Sequence, residues 1–442
     1  MISDMLKVNP SFIIVLSFFI IILTGAFLLT LPISSSIGSS TKFIDALFTA
    51  NSATCVTGLV VLDTGVHFSL FGLVVIISLI QIGGLSYMTF STFIFLLFRR
   101  KMFISEKLMM QEALNIYSTR EVVSVVKKIF AIVFLVEGIG ALILFLRWWP
   151  SLGLKKGLLY AVFHSVSAFC NAGFALPAGN VNLAPYCTDV VVNLVITSLI
   201  IIGGIGFIVI SDILKNRRFS LHSKTVVFTT IFLIAVGTLL FYFFEQNNSS
   251  TLGSLTFSQK IMASYFHSVT PRTAGFNTLS IDKFYVQSLL LTILLMFIGA
   301  SPGGTGGGIK TTTFSIILST IWATLKGLKD TVIFERRIPF QTVRRSFVIA
   351  VLALLLVCSA VFALTFFEKD KTVLSLLFEV VSAFGTVGLS MGITPYLTTV
   401  GKIVIMLCMF IGRVGPLTLL LAFLTGQKEH KLEYPKEGIS IG

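Results

Sequence analysis

Four short glycine-containing stretches recur along this chain at wide and similar intervals. They read Thr54-Cys55-Val56-Thr57-Gly58, Asn171-Ala172-Gly173-Phe174, Thr273-Ala274-Gly275-Phe276 and Thr386-Val387-Gly388-Leu389. The glycines are 115, 102 and 113 residues apart, and each stretch follows a half-length, partly apolar segment. Downstream of each stretch lies a second glycine in an Ile-Gly pair: Gly83, Gly203, Gly299 and Gly412. Four copies in the same surroundings indicate a fourfold internal repeat.

The composition places this repeat in a membrane. Of the 442 residues, 55% are hydrophobic and only 12% are charged. A soluble protein normally carries about a quarter of its residues charged. The five cysteines are scattered and lack the spacing of metal ligands, so neither a disulfide framework nor a zinc site follows from them.

Each repeat unit has the same predicted order of helix, half-length helix, glycine loop and helix. The predicted spans are 12–32, 68–98, 129–146, 190–214, 226–244, 285–325, 346–367 and 400–424. The half-length segments, too short to cross, are 44–54, 157–170, 258–271 and 372–385. Unit boundaries follow at 1–120, 121–222, 223–343 and 344–442, the last including a cytoplasmic tail. We therefore predict an all-α membrane protein with four pseudo-repeats of helix, re-entrant pore loop and helix around a central pore.

The lysines and arginines predict the orientation of the chain. The termini and the loops between units hold 21 of the 33, the opposite face holds ten, and Lys310 and Arg413 lie inside spans. This bias predicts a multi-pass protein of the cell membrane with both termini in the cytoplasm. The net charge of +14 then reflects orientation and does not indicate a nucleic-acid partner.

The glycine loops are suited to bind a bare monovalent cation. A ring of backbone carbonyls replaces the hydration shell of such an ion, and glycine permits the required backbone turn. The residues predicted to form this filter are Val56, Thr57, Gly58, Asn171, Ala172, Gly173, Thr273, Ala274, Gly275, Thr386, Val387 and Gly388. No loop carries an acidic residue, which argues against a filter for divalent cations. For Gly83, Gly84, Gly203 and Gly204, close helix packing is an equally good explanation.

The last helix of unit 3 contains a run that cannot remain helical. Residues 299–310 include several glycines and Pro302, each of which disfavours helix. We predict an intramembrane gate formed by Gly303, Gly304, Thr305, Gly306, Gly307, Gly308 and Lys310, held by few apolar contacts. A kink that serves only helix packing is the alternative.

Arg413 follows Gly412, one position beyond the glycines of the other units. An arginine inside a membrane is costly unless it faces water or a partner. We predict that it forms a pore barrier separate from the gate, with a structural ion pair as the alternative. Glu137 and Glu379 are expected to have structural or pairing roles, and His164 and His267 to lie at the membrane interface without binding a metal.

Six stretches together resemble the Trk/Ktr/HKT superfamily of potassium transporters, most closely the KtrB-type membrane subunits of bacterial Ktr systems. They are Ala53–Leu59, Gln81–Leu85, Asn171–Phe174, Thr270–Phe276, Ser382–Leu389 and Phe410–Pro416. The resemblance implies K⁺ as the transported ion, because a glycine at position 58 goes with K⁺ preference in that family. It also implies a homodimer, a pore arginine at Arg413 and a cytoplasmic nucleotide-binding regulatory ring of the KtrA/KtrC type.

The chain itself has no Gly-x-Gly-x-x-Gly stretch after a soluble strand, so we expect the nucleotide to bind the partner and not this chain. No covalently bound cofactor is expected, and activation by Na⁺ stays open because residues 301–308 are unusually rich in glycine. A second hypothesis is a secondary transporter of an anionic solute that uses Lys310 and Arg413. An enzyme is not expected, because the spans contain no nucleophile–base or metal constellation.

Overall fold

The computed structural model describes residues 10–85, 122–215 and 219–423, whose regular structure is almost entirely helical. In chain order the helices are α1 (Pro10–Thr30), α2 (Phe43–Thr54), α3 (Thr64–His67), α4 (Leu70–Gly84), α5 (Val122–Leu152), α6 (Leu154–Phe169), α7 (Val190–Ile205), α8 (Phe207–Lys215), α9 (Leu221–Glu245), α10 (Phe257–Val269), α11 (Val286–Phe297), α12 (Thr311–Leu325), α13 (Phe340–Phe367), α14 (Val373–Phe384), α15 (Thr399–Val414) and α16 (Pro416–Phe423). A two-stranded hairpin, β1 (Val332–Ile333) with β2 (Arg336–Arg337), lies between α12 and α13.

Each unit opens with a long helix and continues with a half-length helix. The opening helices α1, α5, α9 and α13 are long and apolar enough to cross a membrane. The half-length helices α2, α6, α10 and α14 agree with their predicted segments to within three residues at each end. In every unit the half-length helix packs against the opening helix. The chain is thus an all-α membrane protein built from four similar units.

The closing helices of units 2 and 4 differ from their predictions. Two predicted continuous spans, 190–214 and 400–424, are wrong because the chain breaks at Gly206 and Gly415. These glycines have φ of +97° and +95°, outside the helical range, and the helices on either side of Gly206 meet at a bend of 98°. The predicted break in 285–325 is confirmed, with a loop at 298–310. Residues 86–98 of the predicted span 68–98 lie outside the described residues.

The number of uninterrupted spans is therefore smaller than the eight predicted. Among the described residues, only four helices are long and apolar enough to cross a membrane. The number is five if the bent pair α7–α8 is taken as one span. The closing helices of units 3 and 4 consist of shorter segments that breaks separate, and residues 86–98 of the unit 1 span lie outside the described part of the chain. The interruptions concentrate on the closing helices, and this is where the four units approach the centre of the molecule.

Contacts between units join the four into a closed arrangement. The closing helix of each unit packs against the half-length helix of the next unit: α4 on α6, α7 on α10, α11 on α14, and α15 back on α2. One phenylalanine in each half-length helix is at most 1% exposed, namely Phe48, Phe163, Phe266 and Phe378. Without a hydrophobic driving force between helices in lipid, such dense side-chain packing holds the units together. The cyclic contacts place the four glycine loops around one axis.

Candidate functional site

The four glycine loops share one backbone conformation. Each loop has a residue in the left-handed region two positions before its glycine: Val56 (φ 57°), Asn171 (59°), Thr273 (70°) and Thr386 (50°). The glycines follow in the same region: Gly58 (91°), Gly173 (72°), Gly275 (74°) and Gly388 (90°). Positive φ is strained for β-branched residues such as Val56, so the surrounding structure must impose it. Fourfold repetition of a strained turn indicates a functional loop.

The loops approach each other closely enough to exclude side chains at the glycines. A Cβ atom on Gly58 would clash with the carbonyl oxygen of Ala172, and one on Gly173 would lie 2.8 Å from the oxygen of Ala274. A Cβ atom on Gly275 would likewise clash with the carbonyl oxygen of Val387, and one on Gly388 with the carbonyl oxygen of Thr57. Units 1, 2, 3 and 4 therefore follow one another around a closed ring. We call the twelve predicted filter residues at this position the glycine ring.

Hydroxyl side chains at the ends of the half-length helices fix these loops. The amide N–H of Gly58 donates to Ser52 Oγ, and that of Gly388 donates to Ser382 Oγ, both at 3.1 Å. In unit 2, Ser167 Oγ donates to the Phe174 carbonyl at 2.8 Å. In unit 3, Thr270 Oγ1 donates to the Phe276 carbonyl at 2.5 Å. The sequence analysis missed these residues, although a Ser or Thr five or six positions before each glycine was the available signal.

The half-length helices end just before the glycine ring. Their last residues are Thr54, Phe169, Val269 and Phe384, four to six positions before the glycines. The C-terminal end of a helix carries a partial negative charge from its free carbonyl groups. Four such ends next to four close-packed loops favour a cation in the ring.

The loop at 298–310 lies against the glycine ring and the closing helix of unit 2. Its ends meet where the Gly299 N–H donates to the Ile309 carbonyl at 2.8 Å. The Thr305 N–H donates to the Gly203 carbonyl at 3.1 Å. The Gly307 N–H donates to Thr386 Oγ1 of the ring at 2.9 Å. The loop was expected to have few apolar contacts, and the structure holds it instead by hydrogen bonds.

Arg413 is bonded to this same loop. Its guanidinium donates hydrogen bonds to the carbonyl oxygens of Thr305 and Gly83, and at 3.3 Å to that of Gly84. None of the salt bridges found among the described residues includes it, so the alternative of a structural ion pair is not supported. Lys310 Nζ donates to the Gly306 carbonyl at 2.8 Å. Lys310 and Arg413, the two basic residues of the anion-transport hypothesis, thus both donate hydrogen bonds to backbone carbonyl oxygens.

Three of the four glycines in the Ile-Gly pairs allow a closing helix to approach the end of a half-length helix closely, while Gly299 lies within the loop at 298–310. A Cβ atom on Gly83 would clash with the Thr54 carbonyl, and one on Gly203 with the Phe169 carbonyl. Gly412 has the same relation to Phe384. The packing explanation therefore holds for these positions. The carbonyls of Gly83 and Gly203 in addition accept hydrogen bonds from Arg413 and the loop at 298–310.

The two histidines of the half-length helices are buried inside the protein. His164 and His267 are at most 2% exposed, in surroundings rich in aromatic rings. His164 Nε2 accepts a hydrogen bond from the Leu176 N–H at 3.3 Å, which fixes the chain after the glycine ring. In the part of the chain that is described, no three His, Cys, Asp or Glu residues lie close enough to hold a metal ion. The histidines of the half-length helices therefore contact neighbouring rings, and His164 also holds the chain that follows the glycine ring.

Two buried acids, Glu137 and Glu379, accept hydrogen bonds from polar side chains. Glu137 accepts a hydrogen bond from Gln81 Nε2 at 3.3 Å. Glu379 accepts hydrogen bonds from Ser390 and Thr394 in the chain that follows the unit 4 glycine. Neither acid belongs to the glycine ring. Arg272 is buried as well, and its Nη2 donates to Thr230 Oγ1 at 3.2 Å.

A helical membrane protein whose centre is a closed ring of four strained backbone loops belongs to the class of proteins that pass ions across membranes. Comparison with known proteins gives the family. The sequence profile of TrkH, described as a cation transport protein, matches residues 4–432. This chain therefore belongs to the TrkH family of cation transport proteins, which are ion transporters and not enzymes.

Individual relatives cover nearly the whole chain. The Ktr system potassium uptake protein B of Bacillus subtilis is 46% identical over 439 residues, covering 99% of this chain and 97% of the relative. The potassium/sodium uptake protein NtpJ of Enterococcus hirae is 41% identical, covering 99% and 98%. The crystal structure of the potassium transporter TrkH from Vibrio parahaemolyticus has the same fold, with a TM-score of 0.75 at 18% identity, covering 94% of this chain and 85% of that one.

Proposed function

We propose that this chain carries K⁺ across the cell membrane through the glycine ring, which acts as a selectivity filter. The single observation that carries the proposal is the cyclic contact of Gly58, Gly173, Gly275 and Gly388 with the carbonyl of the next unit. Such a ring supplies backbone oxygens from four sides in place of the hydration shell of the ion. The two relatives whose names include potassium uptake support K⁺ as the ion.

The loop at 298–310 is proposed as the gate of this pathway, and Arg413 as a positive barrier attached to it. The loop touches the ring through Thr386 and, on its other side, receives the guanidinium at Thr305. A path for K⁺ that crosses the ring would meet this loop next. For ions to pass, the predicted gate residues of this loop would have to move. They are Gly303, Gly304, Thr305, Gly306, Gly307, Gly308 and Lys310.

The wider assembly is proposed as follows. The four units, 1–120, 121–222, 223–343 and 344–442, surround one pore, with both termini in the cytoplasm and the glycine loops open to the outside. Two copies form a homodimer, and a cytoplasmic nucleotide-binding ring of the KtrA/KtrC type controls the gate. Sodium is included as an activator to be tested, since the Enterococcus relative is named for both ions.

Ion flux into proteoliposomes tests this function. Purified protein is reconstituted into vesicles, and an outward K⁺ gradient drives the uptake of Rb⁺. The uptake is measured with K⁺, Na⁺ or phosphate added outside as competitor. We expect K⁺ to compete with Rb⁺ far better than Na⁺, and phosphate to have no effect. The absence of cation flux in folded protein, both alone and with its regulatory partner, would reject K⁺ conduction, and uptake of labelled phosphate would favour the anion hypothesis.

A further inference from the structure

We propose that Asn182 is a positioning residue for the outer mouth of the filter, tying the carbonyls of Gly173 and Gly275 together. The inference rests on the proposed K⁺ filter and deepens it. Asn182 lies outside the glycine ring, nine residues after Gly173, in the segment that leads from the unit 2 loop to α7.

The side-chain amide of Asn182 lies between two adjacent units. Its Nδ2 is 3.4 Å from the Gly173 carbonyl oxygen and 3.4 Å from the Gly275 carbonyl oxygen. Its Oδ1 accepts from the Asn277 N–H, also at 3.4 Å. An amide NH₂ group has two hydrogens, so it donates to both carbonyls at once. One side chain therefore links ring residues that are 102 positions apart in sequence.

The backbone around Asn182 fixes the amide in this place. Asn182 has φ of 52°, a left-handed conformation that asparagine tolerates better than most residues. The next residue, Leu183, is fully buried, and its N–H donates to the Asn277 carbonyl at 3.0 Å. Unit 2 and unit 3 are thus joined beyond the filter by backbone and side chain together.

Because of this link, the four glycine carbonyls of the filter do not have the same hydrogen-bond partners. Across the described residues, no side chain donates to the carbonyls of Gly58 or Gly388, while those of Gly173 and Gly275 share one donor. A bare Na⁺ is smaller than K⁺ and needs its ligands to move inward. A donor that spans two carbonyls opposes that movement and draws charge from both oxygens. Asn182 therefore favours K⁺ over Na⁺ from one side of the ring.

Asn180 offers a matched control. It has the same left-handed conformation (φ 55°) and lines the same small cavity of about 40 Å³ above Gly58 and Gly173. Its backbone N–H donates to Asp63 Oδ2 at 3.2 Å, a bond that glycine preserves. Among the described contacts its side-chain amide makes no hydrogen bond to the ring, so Asn180→Gly changes the same loop without removing the link.

The experiment compares the K⁺/Na⁺ preference of Asn182→Gly, Asn180→Gly and wild type in the Rb⁺ uptake assay. Glycine keeps the left-handed backbone, so the amide alone is lost. We expect Asn182→Gly to lower the K⁺/Na⁺ ratio about fivefold, in line with the loss of about one net hydrogen bond, and Asn180→Gly to stay within about twofold of wild type. A wild-type ratio in folded Asn182→Gly, or an equal loss in Asn180→Gly, would overturn the inference.

Two additions keep the result decisive. Asn182→Ala removes the amide without adding a charge, so it should also lower the ratio, and it replaces the glycine variant if that protein does not fold. Gly58→Ser is run in parallel as a test of the filter itself. If Gly58→Ser lowers the ratio and neither Asn182 variant does, only the Asn182 inference fails. If Gly58→Ser has no effect either, the filter proposal has failed.

Discussion

Arg413 donates a hydrogen bond to the carbonyl oxygen of Thr305, although the two residues are 108 positions apart and belong to different units. A positive charge on the closing helix of unit 4 is thereby fixed to the loop that interrupts the closing helix of unit 3. From the sequence, the loop and the arginine are predicted to be two separate obstacles. In the structure they are one connected element, and the connection changes what mutations at either position should do.

Shortening this loop should raise ion flux. Deleting residues 303–308 removes the segment that contacts Thr386 and α7, so the steric block below the ring is lost. The K⁺/Na⁺ ratio should remain unchanged, because the ring itself is intact. The measurement is Rb⁺ uptake by folded, reconstituted protein. Flux at or below the wild-type level would mean that the loop is not the gate.

Removing the arginine should raise flux as well, but by less in the shortened protein than in the full-length one. In wild type, Arg413→Ala removes both a charge and the bond that holds Thr305. In the deletion variant the bond to Thr305 is already gone, so the substitution removes only the charge and the bonds to the carbonyls of Gly83 and Gly84. Two unit charges about 8 Å apart interact by about 2 kcal/mol at an effective dielectric constant of about 20, which corresponds to roughly thirtyfold in rate. Arg413→Lys should retain much of this barrier.

A double-mutant cycle measures the connection. It compares Rb⁺ flux for wild type, Arg413→Ala, the deletion and their combination, and residues in direct contact typically couple by about 0.5–3 kcal/mol. Arg345→Ala is the control, since it removes an exposed arginine of α13 with the same change in charge. Additive effects of the two changes would show that gate and barrier work independently, as first expected.

Gly58→Ser should lower the preference for K⁺ over Na⁺. The new Cβ atom would collide with the Ala172 carbonyl, and the position has φ of 91°. The distortion therefore falls on a filter carbonyl of the neighbouring unit. Gly38→Ser is a matched control, because Gly38 also has positive φ (74°) but no atom within 4 Å of the added Cβ. An unchanged ratio in Gly58→Ser, or an equal change in Gly38→Ser, would remove Gly58 from the filter.

Ser52→Ala and Ser382→Ala should weaken the ring where units 1 and 4 meet. Ser52 holds the loop of Gly58 on one side of this contact, and Ser382 holds the loop of Gly388 on the other. Each change leaves a glycine N–H without its acceptor, that of buried Gly58 or of half-buried Gly388, and the cost is about 1–3 kcal/mol for a fully buried group. We expect lower thermal stability together with a lower K⁺/Na⁺ ratio. Ser78→Ala is the comparison, because Ser78 Oγ donates only to its own helix at the exposed Val74 carbonyl. A loss of stability without any change in ratio would limit these serines to a folding role.

The regulatory partner is tested by adding it. We expect the isolated chain to show low or ungated flux, and a nucleotide-binding ring of the KtrA/KtrC type to make flux depend on nucleotide. The comparison is Rb⁺ uptake by the chain alone and with the purified partner, each with and without ATP. Nucleotide-dependent flux by the chain alone would contradict a separate sensor.

Several features could be predicted from the sequence because they depend on local composition. The lengths of the apolar runs and the fourfold spacing of the glycines predicted the half-length helices and their order around a pore. The glycines and Pro302 predicted the break at 298–310, since neither residue type supports a membrane helix at that density. Even the packing role of Gly83 and Gly203 was among the alternatives.

Other features depend on which units meet, and only the tertiary structure decided them. The burial of His164 follows from rings on three different elements, the bond from Arg413 to Thr305 from the meeting of units 3 and 4, and the Asn182 link from the meeting of units 2 and 3. Sequence spacing carries no information about such contacts, because Arg413 and Asn182 donate to backbone carbonyls that every residue possesses, and the rings around His164 come from distant parts of the chain. The sequence determined four units and where each turns, and their cyclic packing determined which atoms face each other.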